Sequence, residues 1–163
     1  MSRVQRITIV GQPFRRRNNR LPGDCYRNPG HVHFTLCTYE RRSVFRDNQT
    51  TNRVSHILRE AFALPLRLDA YCFMPDHLHL LVTSLANADP RSALARFKQG
   101  SAHAHRLSGG GRLWQRGFHD HVLRPDEELD PTIEYILGHP VRHGLCEDWL
   151  EWPYSWSRWP MDD

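Results

Sequence analysis

The sequence predicts an α+β domain: a ferredoxin-like, split βαβ antiparallel sheet with helices on one face and an extra C-terminal helix. Three observations lead there. Apolar residues recur at period two and then at three to four, in the order β-α-β-β-α-β. Cap and turn residues mark each switch between the two periods. The chain has 163 residues, enough to close one hydrophobic core but not two.

Residues 31–39 (HVHFTLCTY) read as the first strand, with Val32, Phe34 and Leu36 on one face. Asp47 can cap a helix over residues 48–63, where Val54, Ile57, Leu58, Ala61 and Phe62 fall three and four apart, and Pro65 ends it. Strands over 67–74 and 77–84 follow, joined at Pro75 and Asp76 by a turn short enough for an antiparallel hairpin. Asp89 and Pro90 have the form of a helix start, and that helix can run to about residue 107 before Gly109, Gly110 and Gly111 break it. A fourth strand is expected over 113–124. Asp130 and Pro131 then open a shorter helix, which must stop by His139 because Pro140 disfavours the helical region for its predecessor. The last stretch holds Trp149, Trp152, Trp156 and Trp159, four of the five tryptophans. It reads as packing across a sheet edge or helix, with base stacking the sharper alternative. The expected organisation is a basic arm over 1–29, a folded domain over 30–148 and a tryptophan-rich tail over 149–163.

Composition narrows the class. Apolar residues make up 39% and charged residues 25%, ordinary values for a chain that buries a core. No apolar run approaches the 18 residues of a membrane span, and residues 1–14 lack the apolar stretch of a signal peptide, so a cytoplasmic protein is expected. Cys25, Cys37, Cys72 and Cys146 lie far apart with no CxxC, which points to neither a disulfide framework nor a zinc ribbon. The net charge is +4, and of 22 basic residues only Lys98 is lysine. Residues 1–23 hold six arginines and no acid, a local +6. Its densest part, Arg15, Arg16 and Arg17, suits the tracking of phosphates.

Histidine is the more telling count, at eleven. Three strand segments carry His-x-His: His31 and His33, His77 and His79, His119 and His121. Residues two apart in a strand share a face at about 7 Å, so any of these pairs could converge on a metal ion, and any could equally be a polar strand face. Context favours the middle pair. Leu78, Leu80 and Val82 back it with an apolar face, and its strand is central in the split βαβ order, where two imidazoles are costly unless ligated or hydrogen-bonded. In the last helix Tyr135 and His139 are i and i+4, one turn apart on one face. A phenol is a poor nucleophile at neutral pH, and becomes a useful one where a metal polarises the electrophile.

Several segments together resemble one family. Residues 70–82 (AYCFMPDHLHLLV) are similar to the "MPNHvHLLv" signature of the REP-associated tyrosine transposases, within the single-tyrosine His-hydrophobic-His endonucleases. Residues 114–122 (WQRGFHDHV) resemble their "WQrgFyDhvi" segment, and residues 134–145 (EYILGHPVRHGL) their "eYIxxNPVraGL". Residues 34–42 (FTLCTYERR) resemble the family's first strand and the basic turn after it.

The resemblance implies a metal-dependent strand transferase acting on single-stranded, palindromic hairpin DNA. Carried onto this chain, it makes His77 and His79 metal ligands and Tyr135 the nucleophile of a 5′-phosphotyrosine intermediate. The implied cofactor is a divalent metal, Mg²⁺ or Mn²⁺. His139 stands where the family has an asparagine or glutamine as third ligand, and three imidazoles suit Mn²⁺ or a softer ion better than Mg²⁺. Asp76 replaces the family's asparagine, which puts a carboxylate beside the first histidine. Arg15, Arg16, Arg17, Arg41, Arg42, Lys98 and Arg116 are candidate DNA contacts on charge and position. The other eight histidines are expected to be surface or packing residues. A monomer and a homodimer both remain open. The competing readings are a hairpin-binding protein that no longer cuts and an RNA-binding module of the same fold; the second requires stacking aromatics on the central strands, where this chain has histidine and leucine.

Overall fold

The computed structural model describes residues 23–26 and 30–159. The basic arm, including Arg15, Arg16 and Arg17, lies outside the described residues apart from this fringe. In chain order the elements are β1 (Gly30–Cys37), α1 (Asn48–Ala61), β2 (Leu66–Met74), β3 (His77–Ser84), α2 (Pro90–Leu107), β4 (His119–Val122), α3 (Leu129–Leu137), α4 (His139–Arg142) and β5 (Ser155–Ser157). The strands form one sheet in the order β4-β1-β3-β2-β5, with every neighbouring pair antiparallel. β1 and β3 are interior, as the split βαβ order requires.

Strand alternation divides the chemistry between two faces. Phe34, Leu36, Leu78, Leu80 and Val82 pack with Val54 and Leu58 of α1 and Leu94 and Phe97 of α2 in the larger core. Burying one such Leu or Phe side chain contributes about 1.5–3 kcal/mol relative to exposing it. α1 begins where expected, with the Asp47 carboxylate accepting from the Thr50 backbone N–H at 2.9 Å. On the opposite face Ile133, Ile136 and Leu137 of α3 pack on Ala70, Cys72 and Met74 of β2 and Leu81 of β3. The extra helix is therefore the one that crosses to the second face. It covers β2 and β3 and leaves the same face of β1, with His31, His33 and Thr35, half-exposed.

The fourth strand and the start of α3 differ from the sequence reading, β1 and α1 each end two residues before the expected end, and α4 and β5 are additions to it. The fourth strand is only His119–Val122, with one isolated bridge between Thr38 and Trp114 ahead of it. Leu113 and Trp114 are drawn into the larger core. Gly117 adopts a φ of 82°, and the Lys98 ammonium donates to the Gln115 and Gly117 carbonyls at 3.0 and 2.6 Å, while the Gln115 N–H still donates to the Cys37 carbonyl of β1 at 2.9 Å. α3 starts at Leu129 after Glu128, so Pro131 sits inside its first turn, where its missing N–H has no helical partner to lose. In the tail, β5 pairs with β2, Trp156 stacks on Tyr71 at 5.9 Å, and the Trp152 indole N–H donates to the Phe73 carbonyl at 2.9 Å. The packing reading of the tryptophans is the one the structure shows.

Candidate metal centre and tyrosine

The β2–β3 hairpin places His77 and His79 on the face that α3 partly covers, because two-residue alternation sends Leu78 and Leu80 to the other side. His139 reaches the same spot from the junction of α3 and α4, where Gly138 keeps a helical φ of −75° and lets one turn run almost into the next. The three imidazoles are 8%, 5% and 7% exposed, and each offers one nitrogen within 4.8 Å of the others. No other group of three potential ligands this close occurs among the described residues. Tyr135 stands at the rim, 47% exposed, its ring centroid 5.8 Å from that of His79 and 5.6 Å from that of His139. The spacing of four read from the sequence does bring Tyr135 and His139 together.

Hydrogen bonds orient each ring. Asp76 Oδ1 accepts from His77 Nδ1 at 2.6 Å, while its other oxygen receives Arg41 Nη1 at 3.3 Å. His79 Nδ1 is 3.0 Å from both Thr35 Oγ1 and His33 Nε2, which leaves His79 Nε2 buried with no hydrogen-bond partner. An orphaned buried nitrogen costs about 1–3 kcal/mol, and an ion among the three rings would satisfy it. The residues present therefore fit a metal, and three neutral imidazoles suit Mn²⁺ or a later first-row ion better than Mg²⁺.

Electrostatics keep the lone pairs free. Burial, helped by the neighbouring His33, His77 and His139, pushes His79 down to about 2. Burial likewise brings His139 and His33 to about 4. His77 is also lowered by burial, although the Asp76 hydrogen bond opposes it. All four rings are thus neutral at physiological pH, as ligation requires.

Around them lies an open cleft lined by Thr35, Arg41, Asp76, Tyr135 and His143 as well as the three histidines. Of the arginines singled out on charge, Arg41 is at this cleft, Arg42 pairs with Glu40 at 2.6 Å, and Arg116 is exposed. Lys98 lies away from the cleft, half-buried, with its ammonium engaged by the two carbonyls named above.

Three residues of the site, Thr35, Arg142 and His143, were not singled out from the sequence as site residues, and a fourth, His33, weighed in a His-x-His pair and then expected at the surface or in packing, instead contacts His79. His33 and Thr35 reach His79 from β1. Arg142 holds His139 Nδ1 at 3.1 Å and lies over the Tyr135 ring at 4.5 Å, and His143 stacks on His139 at 4.3 Å. The signal for the first pair was the alternation of β1, which puts His33 and Thr35 on the face opposite Phe34. For Arg142 it was spacing, three residues after His139 and seven after Tyr135.

The family model described as "Transposase IS200 like" matches residues 27–138, a span that contains His77, His79 and Tyr135. The chain belongs to the transposase IS200-like family. Membership makes a DNA-processing role the coarse function of the protein. Similar chains include a REP-associated tyrosine transposase of Escherichia coli strain K12, 28% identical over 123 residues that cover 75% of this chain and 73% of that one. A Haemophilus influenzae protein is 27% identical over 135 residues, covering 75% and 76% of the two chains. Among solved structures, a REP-associated tyrosine transposase bound to a REP hairpin superimposes with a TM-score of 0.65 at 23% identity, over 89% of this chain and 82% of that one. This last likeness bears out the α+β sheet expected from the sequence, to which the tail adds a fifth strand, β5. Among the described residues no helix is long and apolar enough to cross a membrane.

Proposed function

We propose that this IS200-like protein is a metal-dependent single-stranded DNA endonuclease and strand transferase that acts on palindromic hairpin DNA through Tyr135. One observation carries the reading: an exposed tyrosine ring stands against a buried group of three neutral imidazoles, one of which has an unsatisfied nitrogen. His77, His79 and His139 would hold the ion, Mn²⁺ or Mg²⁺, which when bound supplies polarisation of a phosphate oxygen.

The protein's own groups do the rest. The Tyr135 hydroxyl attacks phosphorus, the P–O3′ bond breaks, and the products are a 5′-phosphotyrosine and a strand ending in a 3′-hydroxyl. The phenolic proton leaves as the new bond forms, and the departing 3′ oxygen is protonated. Asp76 keeps His77 oriented through its Nδ1, and His33 and Thr35 do the same for His79, so two rings enter the reaction with their Nε2 atoms already aimed. Burial of the rings beside an open cleft keeps water from their inner faces while admitting a strand.

Support for the ligand comes from the relatives, one of them solved with a REP hairpin, and from the positive charge ahead of the fold. Arg41, Arg42 and Arg116, together with Arg15, Arg16 and Arg17, are the proposed phosphate contacts. A contact from Lys98 would compete with the loop carbonyls it already serves.

The test is cleavage of a labelled hairpin oligonucleotide with a single-stranded flank. Tyr135→Phe is expected to lower cleavage by at least about 10³-fold, in line with loss of a covalent nucleophile, while hairpin binding changes little. Undiminished cleavage would remove the mechanism. A hairpin-binding protein without nuclease activity would instead show wild-type binding and no cleavage in either form.

A further inference from the structure

The direction of each hydrogen bond through the imidazole cluster is set from its two ends. A carboxylate only accepts, so at the Asp76 contact the proton is on His77 Nδ1, and neutral His77 presents a lone pair at Nε2. A guanidinium only donates, so His139 Nδ1, 3.1 Å from Arg142 Nη2, is the bare nitrogen and the neutral ring carries its proton on Nε2. That N–H faces the His77 Nε2 lone pair at 3.2 Å. Asp76, His77, His139 and Arg142 thus form a line in which every proton has a place.

The same line is incompatible with His139 as a ligand. Coordination through Nε2 needs the lone pair there and the proton on Nδ1, where the Arg142 donor stands. His77 and His79 differ in this respect, since their Nδ1 atoms face groups that can accept: Asp76 for one, Thr35 and His33 for the other.

We propose that Arg142 is a positioning residue that holds His139 in its non-ligating tautomer and is released from it when the three histidines take an ion together. The step moves one proton from His139 Nε2 to Nδ1 with no net uptake or loss. Arg142 stays close after release, because its guanidinium also lies over the Tyr135 ring at 4.5 Å and donates to the Tyr135 carbonyl. The fold makes room for it at Gly138, where a Cβ would come within 3.0 Å of Arg142 Nη1. A guanidinium freed beside the nucleophile is suited to a phosphate of the bound strand. Metal loading and phosphate capture would then be coupled through one side chain. This inference rests on the metal-dependent reading of the site.

The experiment is imidazole ¹⁵N spectroscopy of histidine-labelled protein, with Zn²⁺ alone as a diamagnetic probe and the His139 signals assigned by their loss in His139→Asn. Without metal, His139 is expected to show a bare Nδ1 and a protonated Nε2, and one equivalent of Zn²⁺ should invert the two. A protonated Nδ1 in the metal-free protein would overturn the proposal, as would His139 signals that stay fixed while those of His77 and His79 move. Arg142→Met removes the donor at similar length; calorimetry should show it binding Zn²⁺ roughly five- to tenfold more tightly, the equivalent of one hydrogen bond. Unchanged or weaker binding by a folded Arg142→Met protein would contradict the assignment. Failure to cleave DNA would leave these tautomers as they are, and an opposite tautomer would leave cleavage by Tyr135 standing, so the two readings fail separately.

Discussion

His77 and His79 sit inside a sheet, on a hairpin whose neighbours on both sides are strands, and their Nδ1 atoms face acceptors. Tyr135 and His139 hang from a helix junction on the second face, where Tyr135 is 47% exposed and His139 is held by a donor. For the proposed ion, the hairpin half would be preorganised as a pair of ligands, whereas the helix half would have to change a proton position to join them. On the proposed function, a site divided in this way would keep precise geometry where the ion is held and leave adjustability beside the proposed nucleophile.

The sharpest way to break this contrast is to remove a hairpin ligand. His79→Ala should weaken Mn²⁺ binding, followed by calorimetry, by more than about 100-fold, beyond the roughly 10–100-fold typical of losing an orienting partner. A loss of only a few fold would mean that the hairpin is not the principal anchor.

Next in size is the orienting carboxylate. Asp76→Ala should cost about 10–100-fold in Mn²⁺ affinity, and Asp76→Asn, which keeps an acceptor oxygen for His77 Nδ1, distinctly less. Equal losses in the two variants would show that charge rather than orientation is what Asp76 contributes.

The smallest effect is on stability. In the unfolded chain the imidazoles protonate near 6.5, whereas in the fold His33 and His139 stay neutral down to about 4 because they are buried. Between those values the unfolded state binds more protons, so stability should fall as pH drops from about 6.5 towards 4. Thermal melts of the metal-free protein across that range are expected to show a steadily falling Tm, with a shallower slope in His33→Asn. A flat profile would contradict the burial of neutral rings.

How far the sequence revealed this depended on the range over which each feature is determined. Period-two alternation left three His-x-His pairs open and one helical turn put Tyr135 beside His139; the resemblance of short segments then singled out His77, His79, Asp76 and Tyr135. All are local. The fold order was readable for the same reason, since each element carries its own period and caps. His33 and Thr35 could not be placed, because they meet His79 only through the β1–β3 register, which pairs Thr35 with His79 across 44 residues of chain. The short fourth strand was hidden too: whether the Gln115 and Gly117 carbonyls bond to a neighbouring strand or to Lys98 is decided by tertiary packing. Arg142 lay within reach of spacing arguments, but its meaning needed the direction of a hydrogen bond, which no sequence pattern carries.

The central claim is that Tyr135 becomes covalently attached to DNA with the help of an ion at the three histidines. It is tested most directly by incubating the protein with a hairpin oligonucleotide with and without Mn²⁺, isolating any protein–DNA adduct and mapping the modified peptide by mass spectrometry. The expected result is an adduct that forms only with the ion and maps to Tyr135. An adduct at another residue, or one that forms equally well in chelator, would contradict it.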